Sequence, residues 1–250
     1  MVLYTELAEH YYAIESNHRN LLDDIALILE VSSGTINPSL LDLGCGTGEH
    51  MDALSRRGFL CTGIDISDDM LKTARKRFPD AGRFIKADIT KLDFYEEYNI
   101  AISLFGTLNY LIENEKIDNA FWNIWRALKP GGKAVLEIWN SFPIEKIRNK
   151  EVGLVSTTRK GATVIERHRG FTLLEGENGT IVQVDYRYLI AGNGAKREIT
   201  DRHIMRAFSR DEISTLLSAN GFRPEAVYAG TRREGFNETS NRMVVVALKG

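Results

Sequence analysis

Apolar positions in the first part of the chain recur at helical spacing, as in Leu21, Leu22, Ile25 and Leu29, and predict helices over 3–17 and 18–31. Gly34, Asn37 and Pro38 break that pattern. Short apolar runs then alternate with segments of helical period. Ser39–Leu43 is too short for a helix and stops at glycines, so it predicts a buried strand. A helix is expected over 48–57 and a strand over 59–66. Ser67 or Asp68 then caps a helix running to Phe78. Strands follow at 83–87 and 98–104. The helix at 114–128 ends at Lys129-Pro130-Gly131-Gly132, and a strand covers 133–139. Such alternation predicts a parallel sheet with helices on both faces. Ligands of such sheets sit beyond the carboxyl ends of the strands.

The rhythm changes after Phe142. Residues 151–206 hold β-rich runs separated by Gly176-Glu177-Asn178-Gly179 and Gly192-Asn193-Gly194, which are hairpin signals. They predict an antiparallel insertion of three to five strands. A helix at 209–220 and strands near 225–229 and at 242–248 return the chain to α/β. The expected organisation is a helical cap at 1–35, a core at 36–142 and 207–250, and an inserted β lid at 143–206.

The net charge of −2 gives no global reason for nucleic-acid binding. The charge is uneven, however: between Pro143 and Arg210 there are 13 Lys or Arg against 8 Asp or Glu. A basic insertion in an otherwise acidic chain bears on the acceptor. Two cysteines, Cys45 and Cys61, give neither a disulfide framework nor zinc spacing, and no metal site is expected. No apolar run reaches the roughly 20 residues of a membrane span. The first ten residues carry acids and lack a signal-peptide core, so a cytoplasmic protein is expected.

The strongest chemical signal is Leu41-Asp42-Leu43-Gly44-Cys45-Gly46-Thr47-Gly48, which leaves a strand and opens a helix. Glycines there permit positive φ and close approach of a ligand to the backbone. A helix N-terminus beyond such a loop ordinarily favours an anion. The spacing is G-x-G-x-G, not the dinucleotide G-x-G-x-x-G, and no Gly-Lys-Ser/Thr makes it a P-loop. Asp65 ends the second strand, where a carboxylate accepts from a ribose diol in sheets of this type. Asp88 follows the third strand and is placed to accept from an adenine amine, with Ile89 packing on the ring.

Together the runs LLDLGCGTGEH, GIDISDDML, FIKADI, AISLFGTLNYL and LKPGGKAVLEIW resemble the class I S-adenosylmethionine-dependent methyltransferase superfamily. The match covers about residues 38–140. It implies a seven-stranded Rossmann-like α/β sheet of order 3-2-1-4-5-7-6 with an antiparallel last strand. It also implies S-adenosylmethionine over Gly44, Cys45, Gly46 and Gly48, with S-adenosylhomocysteine as product. Ribose would lie on Asp65, and adenine between Asp88-Ile89 and Ile66 or Met70, with Leu104 and Phe105 nearby. Within the superfamily the chain looks most like small-molecule N-methyltransferases of amino-sugar and glycine type. In such relatives a basic or hydroxyl group of the N-terminal region meets the cofactor carboxylate, and Tyr12 and Arg19 are the candidates. The run Ser103-Leu104-Phe105-Gly106 lacks the Asn/Asp-Pro-Pro-Tyr/Phe motif of adenine and glutamine enzymes, and no Pro-Cys dipeptide offers a cytosine-C5 nucleophile.

Methyl transfer from a sulfonium is an in-line displacement whose leaving group is already activated, so alignment dominates. A proximity mechanism with no obligatory residue is expected. Tyr110 and Tyr12 are the candidates near the methyl group, and His203, beside Arg202 and Arg206, is a candidate base or acceptor anchor. A small-molecule acceptor, an amine in the first instance, is the leading expectation. RNA or protein acceptors engaged by the basic insertion, a nicotinamide-dependent oxidoreductase and a non-catalytic cofactor-binding module remain alternatives. A homodimer is compatible with the sequence.

Overall fold

The computed structural model describes residues 1–175, 179–192 and 194–250. The expected turns over 176–179 and 192–194 therefore fall partly outside the described residues. Seven strands form the main sheet: β1 (Ser39–Leu43), β2 (Leu60–Asp65), β3 (Arg83–Lys86), β4 (Tyr98–Ser103), β5 (Leu128–Trp139), β10 (Phe222–Tyr228) and β11 (Arg242–Lys249). They lie in the order β10-β11-β5-β4-β1-β2-β3, and β11 runs antiparallel to both neighbours. Counted within this sheet the order is 3-2-1-4-5-7-6, as the resemblance implied.

Strand residues alternate between two cores, because successive side chains point to opposite faces. Leu41, Leu43, Ala101, Leu136 and Val245 pack on α5 (Asn114–Ala127) and α7 (Arg210–Ala219) through Ile117, Phe121, Ile124, Ile213 and Leu217. Leu40, Ile100, Ile102, Val135 and Val244 face α2 (Leu21–Val31), α3 (Glu49–Ser55) and α4 (Asp68–Arg77). Ser67 caps α4 by accepting from the Met70 amide at 3.3 Å.

The second sheet holds β6 (Asn149–Lys160), β7 (Thr163–Leu174), β8 (Thr180–Gly192) and β9 (Ala195–Ala207), all antiparallel. Its four strands fall within the expected range. One face carries Ile165, Val182, Val184, Tyr186, Tyr188 and Met205 against Leu3, Leu7 and Ile14.

Three elements depart from expectation. The helix expected over 3–17 is broken into 3-10 turns at Val2–Tyr4, Ala8–His10 and Ser16–His18 around a short α1 (Tyr11–Glu15). Its backbone is claimed by side chains instead: Asp201 accepts from the Leu3 amide, and the Asn17 amide donates to the Ala13 and Ile14 carbonyls. Such local side-chain bonds compete with helix. Second, α6 (Ser141–Ile147) was not expected; Asn140 accepts from the Phe142 amide and so starts it, and Pro143 is tolerated in a first turn. Third, Lys129-Pro130-Gly131-Gly132 ends α5 but joins β5, which begins at Leu128. Among the described residues no helix is long and apolar enough to cross a membrane.

Candidate active site

The glycine loop joins β1 to α3 at the carboxyl end of the sheet. Gly44, Gly46 and Gly48 have φ of 78°, 55° and 86°, a region that side chains other than glycine's avoid. A Cβ on Gly44 would lie 2.7 Å from Thr107 Cγ2, and one on Gly46 3.3 Å from the Met70 methyl. The loop amides are consumed internally: Gly44 and Cys45 donate to the Ile64 carbonyl, Gly48 to Cys45, and Gly46 to Asp65 Oδ2 at 2.9 Å. These four amides are therefore closed to an anion. The loop offers shape and carboxylates rather than donors, which suits a nucleoside cation and not a pyrophosphate.

Asp65 also accepts from the Ser67 amide with Oδ1 at 2.9 Å. Burial raises its carboxyl above the ordinary range, partly offset by the Ser67 and Gly46 amides. Each oxygen keeps a second lone pair for a ribose hydroxyl. Beside it Ile66 is 66% exposed, a large apolar side chain left in the open at the mouth of the cleft. Asp88 caps the 3-10 turn Ile89–Lys91, and both its bonds, to the Thr90 amide and hydroxyl, fall on Oδ1. Ile89 packs partly into the main core, and Met70 is buried behind Gly46. Cys45 turns its sulfur toward Gly63, and burial raises the thiol well above its usual value, so it packs and does not react.

Arg19 is not a free cation. It donates from Nε and Nη2 to Asp24, at 2.7 and 2.9 Å, and from Nη1 to Glu137. Its guanidinium lies 4.1 Å from the Phe105 ring centroid. Burial opposes the charge, but Glu137 and Asp24 hold the guanidinium above its ordinary value. Asp24 would be raised by burial, yet the His50 hydrogen bond and Arg19 bring it to about 2. Glu137 further accepts from the Phe105 amide at 3.3 Å. Phe105 sits at φ 57°, strained for an aromatic residue, and walls the cleft beside Leu104. A cofactor carboxylate reaching Arg19 would have to share it with two protein carboxylates. Tyr12 lines the same cleft, half-buried, together with Tyr11.

Asp42 was visible in the sequence as the acid before the glycines, but not singled out as a site residue. It is buried in the cleft with no partner for Oδ2. Burial pushes its carboxyl up to about 7. An unpartnered carboxylate aimed into a cleft fits a cationic group such as the cofactor's ammonium. Because the unfolded value is near 3.9, Asp42 contributes stability below about pH 4 and loses it as pH rises through about 7. Binding a cation expels its proton, so calorimetric affinity for S-adenosylhomocysteine is expected to rise about tenfold from pH 5.5 to 7. Asp42→Asn should flatten that profile; an unchanged slope would remove Asp42 from the site.

The structure brings Tyr110 and His203 together, 93 positions apart. The Tyr110 hydroxyl lies 2.5 Å from His203 Nδ1 and 2.7 Å from the Tyr4 hydroxyl. Asp201 Oδ2 is 3.0 Å from His203 Nε2. Sequence reasoning missed Tyr4 and Asp201, although an Asp-x-His pair on a strand shares one face. Tyr12, the third candidate, stands apart from this group on the cofactor side.

The cleft at the carboxyl ends is small, about 30 Å³, with Tyr11 and Tyr12 over the glycines. A larger groove of about 510 Å³ lies at the amino ends of β1–β3, along Leu60, Asp80, Arg83 and Glu97. The glycine turn and the carboxylates favour the former, since ligands of parallel sheets bind at the carboxyl ends.

Residues 40–132 match a methyltransferase domain family. The chain is 31% identical over 197 residues to a dTDP-3-amino-3,4,6-trideoxy-α-D-glucopyranose N,N-dimethyltransferase of Streptomyces venezuelae, covering 79% of this chain and 80% of that one. It is 32% identical to a dTDP-4-amino-2,3,4,6-tetradeoxy-D-glucose N,N-dimethyltransferase of Saccharopolyspora spinosa, over 75% of this chain and 72% of that one. The fold superposes with a TM-score of 0.77 on the S-adenosylmethionine-bound structure of an amino pentose methyltransferase from Micromonospora echinaspora, at 23% identity and 95% coverage of both chains. A glycine turn shaped for a nucleoside, carboxylates at the carboxyl ends of β1, β2 and β3, and relatives matched over more than two-thirds of their length agree, and the chain belongs to the class I S-adenosylmethionine-dependent methyltransferases.

Proposed function

We propose that the enzyme methylates the nitrogen of a small-molecule amine, an amino sugar carried on a nucleotide. The observation that carries this is the reach of the similarity: 197 residues align with an amino-sugar N,N-dimethyltransferase, well beyond the 40–132 segment that many methyltransferases share. The second sheet supports an anionic acceptor. By register Arg167 and Arg169 lie opposite Tyr188 and Tyr186, so both arginines sit on the face that covers the N-terminal segment. Arg167 is spent on Glu15 at 2.9 Å, so the anionic-acceptor reading rests on Arg169.

S-adenosylmethionine supplies an electrophilic methyl group. The chain's own residues bind and align. Asp65 would hold the ribose, Asp88, Ile89 and Ile66 the adenine, and Asp42 the ammonium. Tyr11 and Tyr12 keep water from the glycine loop. This reading treats 1–35 as the cap, 143–206 as the acceptor lid and the rest as the cofactor-binding core. Both cysteines are buried and free, in keeping with a reducing cytoplasm.

The test is methyl transfer to dTDP-3-amino-3,4,6-trideoxy-α-D-glucopyranose, followed by mass spectrometry. One and then two added methyl groups are expected, with none on the 3-hydroxy counterpart. Transfer to RNA or protein, with the amino sugar untouched, would contradict the reading.

A further inference from the structure

Four polar side chains from three distant parts of the chain form one continuous hydrogen-bonded line. Asp201 and His203 come from β9, Tyr110 from the 3-10 turn after β4, and Tyr4 from the N-terminal segment. Asp201 Oδ2 accepts from the Leu3 amide at 3.1 Å and meets His203 Nε2 at 3.0 Å. His203 is 1% exposed.

Donor counting fixes the direction of every proton in the line. Burial would raise Asp201, but its bonds to His203 and the Leu3 amide hold it below the ordinary range, so the carboxylate only accepts. Nε2 must therefore carry the hydrogen. Burial lowers the His203 imidazole despite Asp201, leaving it neutral with a bare Nδ1. Nδ1 accepts from Tyr110, and Tyr110, its hydrogen spent, accepts from Tyr4. The lone pairs of the Tyr4 oxygen are the open end. The residue that carries this end is tied to the glycine-loop region: the Tyr4 ring is 5.8 Å from Tyr11, whose edge abuts Gly46, and the Tyr4 carbonyl accepts from Ser67 Oγ at 2.6 Å.

We propose that Tyr4, Tyr110, His203 and Asp201 form a proton relay that deprotonates the acceptor's ammonium, an inference that rests on the amine reading above. An ammonium has no lone pair to attack with, so one proton must leave before each methyl transfer. The N–H bond breaks toward the Tyr4 oxygen. The Tyr4 proton passes to Tyr110, and the Tyr110 proton to His203 Nδ1. The acceptor nitrogen keeps the electron pair, and the imidazolium rests against the Asp201 carboxylate until water takes its proton between turnovers. Tyr4 is the catalytic member, and the others act through it.

The groups facing His203 are Asp201 on its own strand, Tyr110, Tyr4, Tyr186 at 4.9 Å between ring centroids, the Met1 amino group, and Arg167 with its partner Glu15. Two cations near the ring oppose its protonation and one carboxylate favours it, so the proton is held in transit and not stored.

The experiment follows methyl transfer to the same dTDP-amino sugar between pH 6.5 and 9.5. It compares wild type with Tyr4→Phe, Tyr110→Phe and His203→Gln, with calorimetry of S-adenosylhomocysteine on each and 15N NMR of the imidazole in wild type. Expected are a loss in kcat of about a hundredfold at pH 7 in the two Phe variants, recovery of most of it by pH 9.5, near-wild-type cofactor affinity, and an Nε2–H tautomer. A loss independent of pH, no loss in either Phe variant, or an Nδ1–H tautomer would overturn the relay alone. Wild type that binds the cofactor product yet leaves the amino sugar unmethylated would overturn the amine reading, and the relay with it. If His203→Gln does not fold, the Phe variants, which remove one oxygen each, decide.

Discussion

Asp65→Ala is expected to lower affinity for S-adenosylhomocysteine by two to three orders of magnitude, the largest functional loss of any single change considered. The carboxylate has two duties. It holds the loop by accepting from the Gly46 and Ser67 amides, and in the proposed function its remaining lone pairs would take the ribose diol. Hydrogen bonds to a charged group are worth about 1.5–3 kcal/mol each. Losing two to ligand at the lower part of that range gives roughly 3–4 kcal/mol, or about 10²–10³ in affinity. The alanine also frees Gly46, which at φ 55° has no other reason to keep its amide turned inward. Asp65→Asn retains one acceptor oxygen and should lose less. Calorimetry on protein with an unchanged circular-dichroism spectrum is the check. An affinity within tenfold of wild type would move the ribose elsewhere.

Glu137→Ala is expected to be the most destabilising change, by about 3–5 kcal/mol, because it leaves buried charge unpaired. Glu137 is 3% exposed and receives Arg19, the Phe105 amide and, at 3.4 Å, Arg242. Arg19 would then face only Asp24, which His50 already engages at 3.0 Å. For a chain of this length such a loss lowers the melting temperature by about 10 °C. Cofactor affinity should fall too, since Phe105 loses the contact that fixes its strained backbone. A melting temperature within about 2 °C of wild type would show that the network carries no such load.

The main sheet was legible because its strands are short, apolar and punctuated. Ser39–Leu43 was recovered at its bounds, and each later strand of the main sheet was found with ends displaced by a few residues. The glycine spacing and the acids at Asp65 and Asp88 were legible for the same reason: each lies within a few residues of a strand end. What escaped were partnerships across the chain. Arg19 looked like a free cation because nothing in its neighbourhood shows Glu137, 118 positions on, closing over it. Tyr110 and His203 were both suspected, yet periodicity cannot tell that a strand of the second sheet meets the loop after β4. The N-terminal segment misled because its apolar residues have helical spacing, while Asp201 and Asn17 take its backbone groups.

The central claim is that the glycine turn and its carboxylates form the cofactor site. A crystal structure of the protein with S-adenosylhomocysteine tests it most directly. The account predicts ribose hydroxyls on Asp65, the adenine edge at Asp88 with its face on Ile66, and the ammonium beside Asp42. A nucleoside seated instead in the groove at the amino ends of β1–β3, near Arg83 and Asp80, would contradict it.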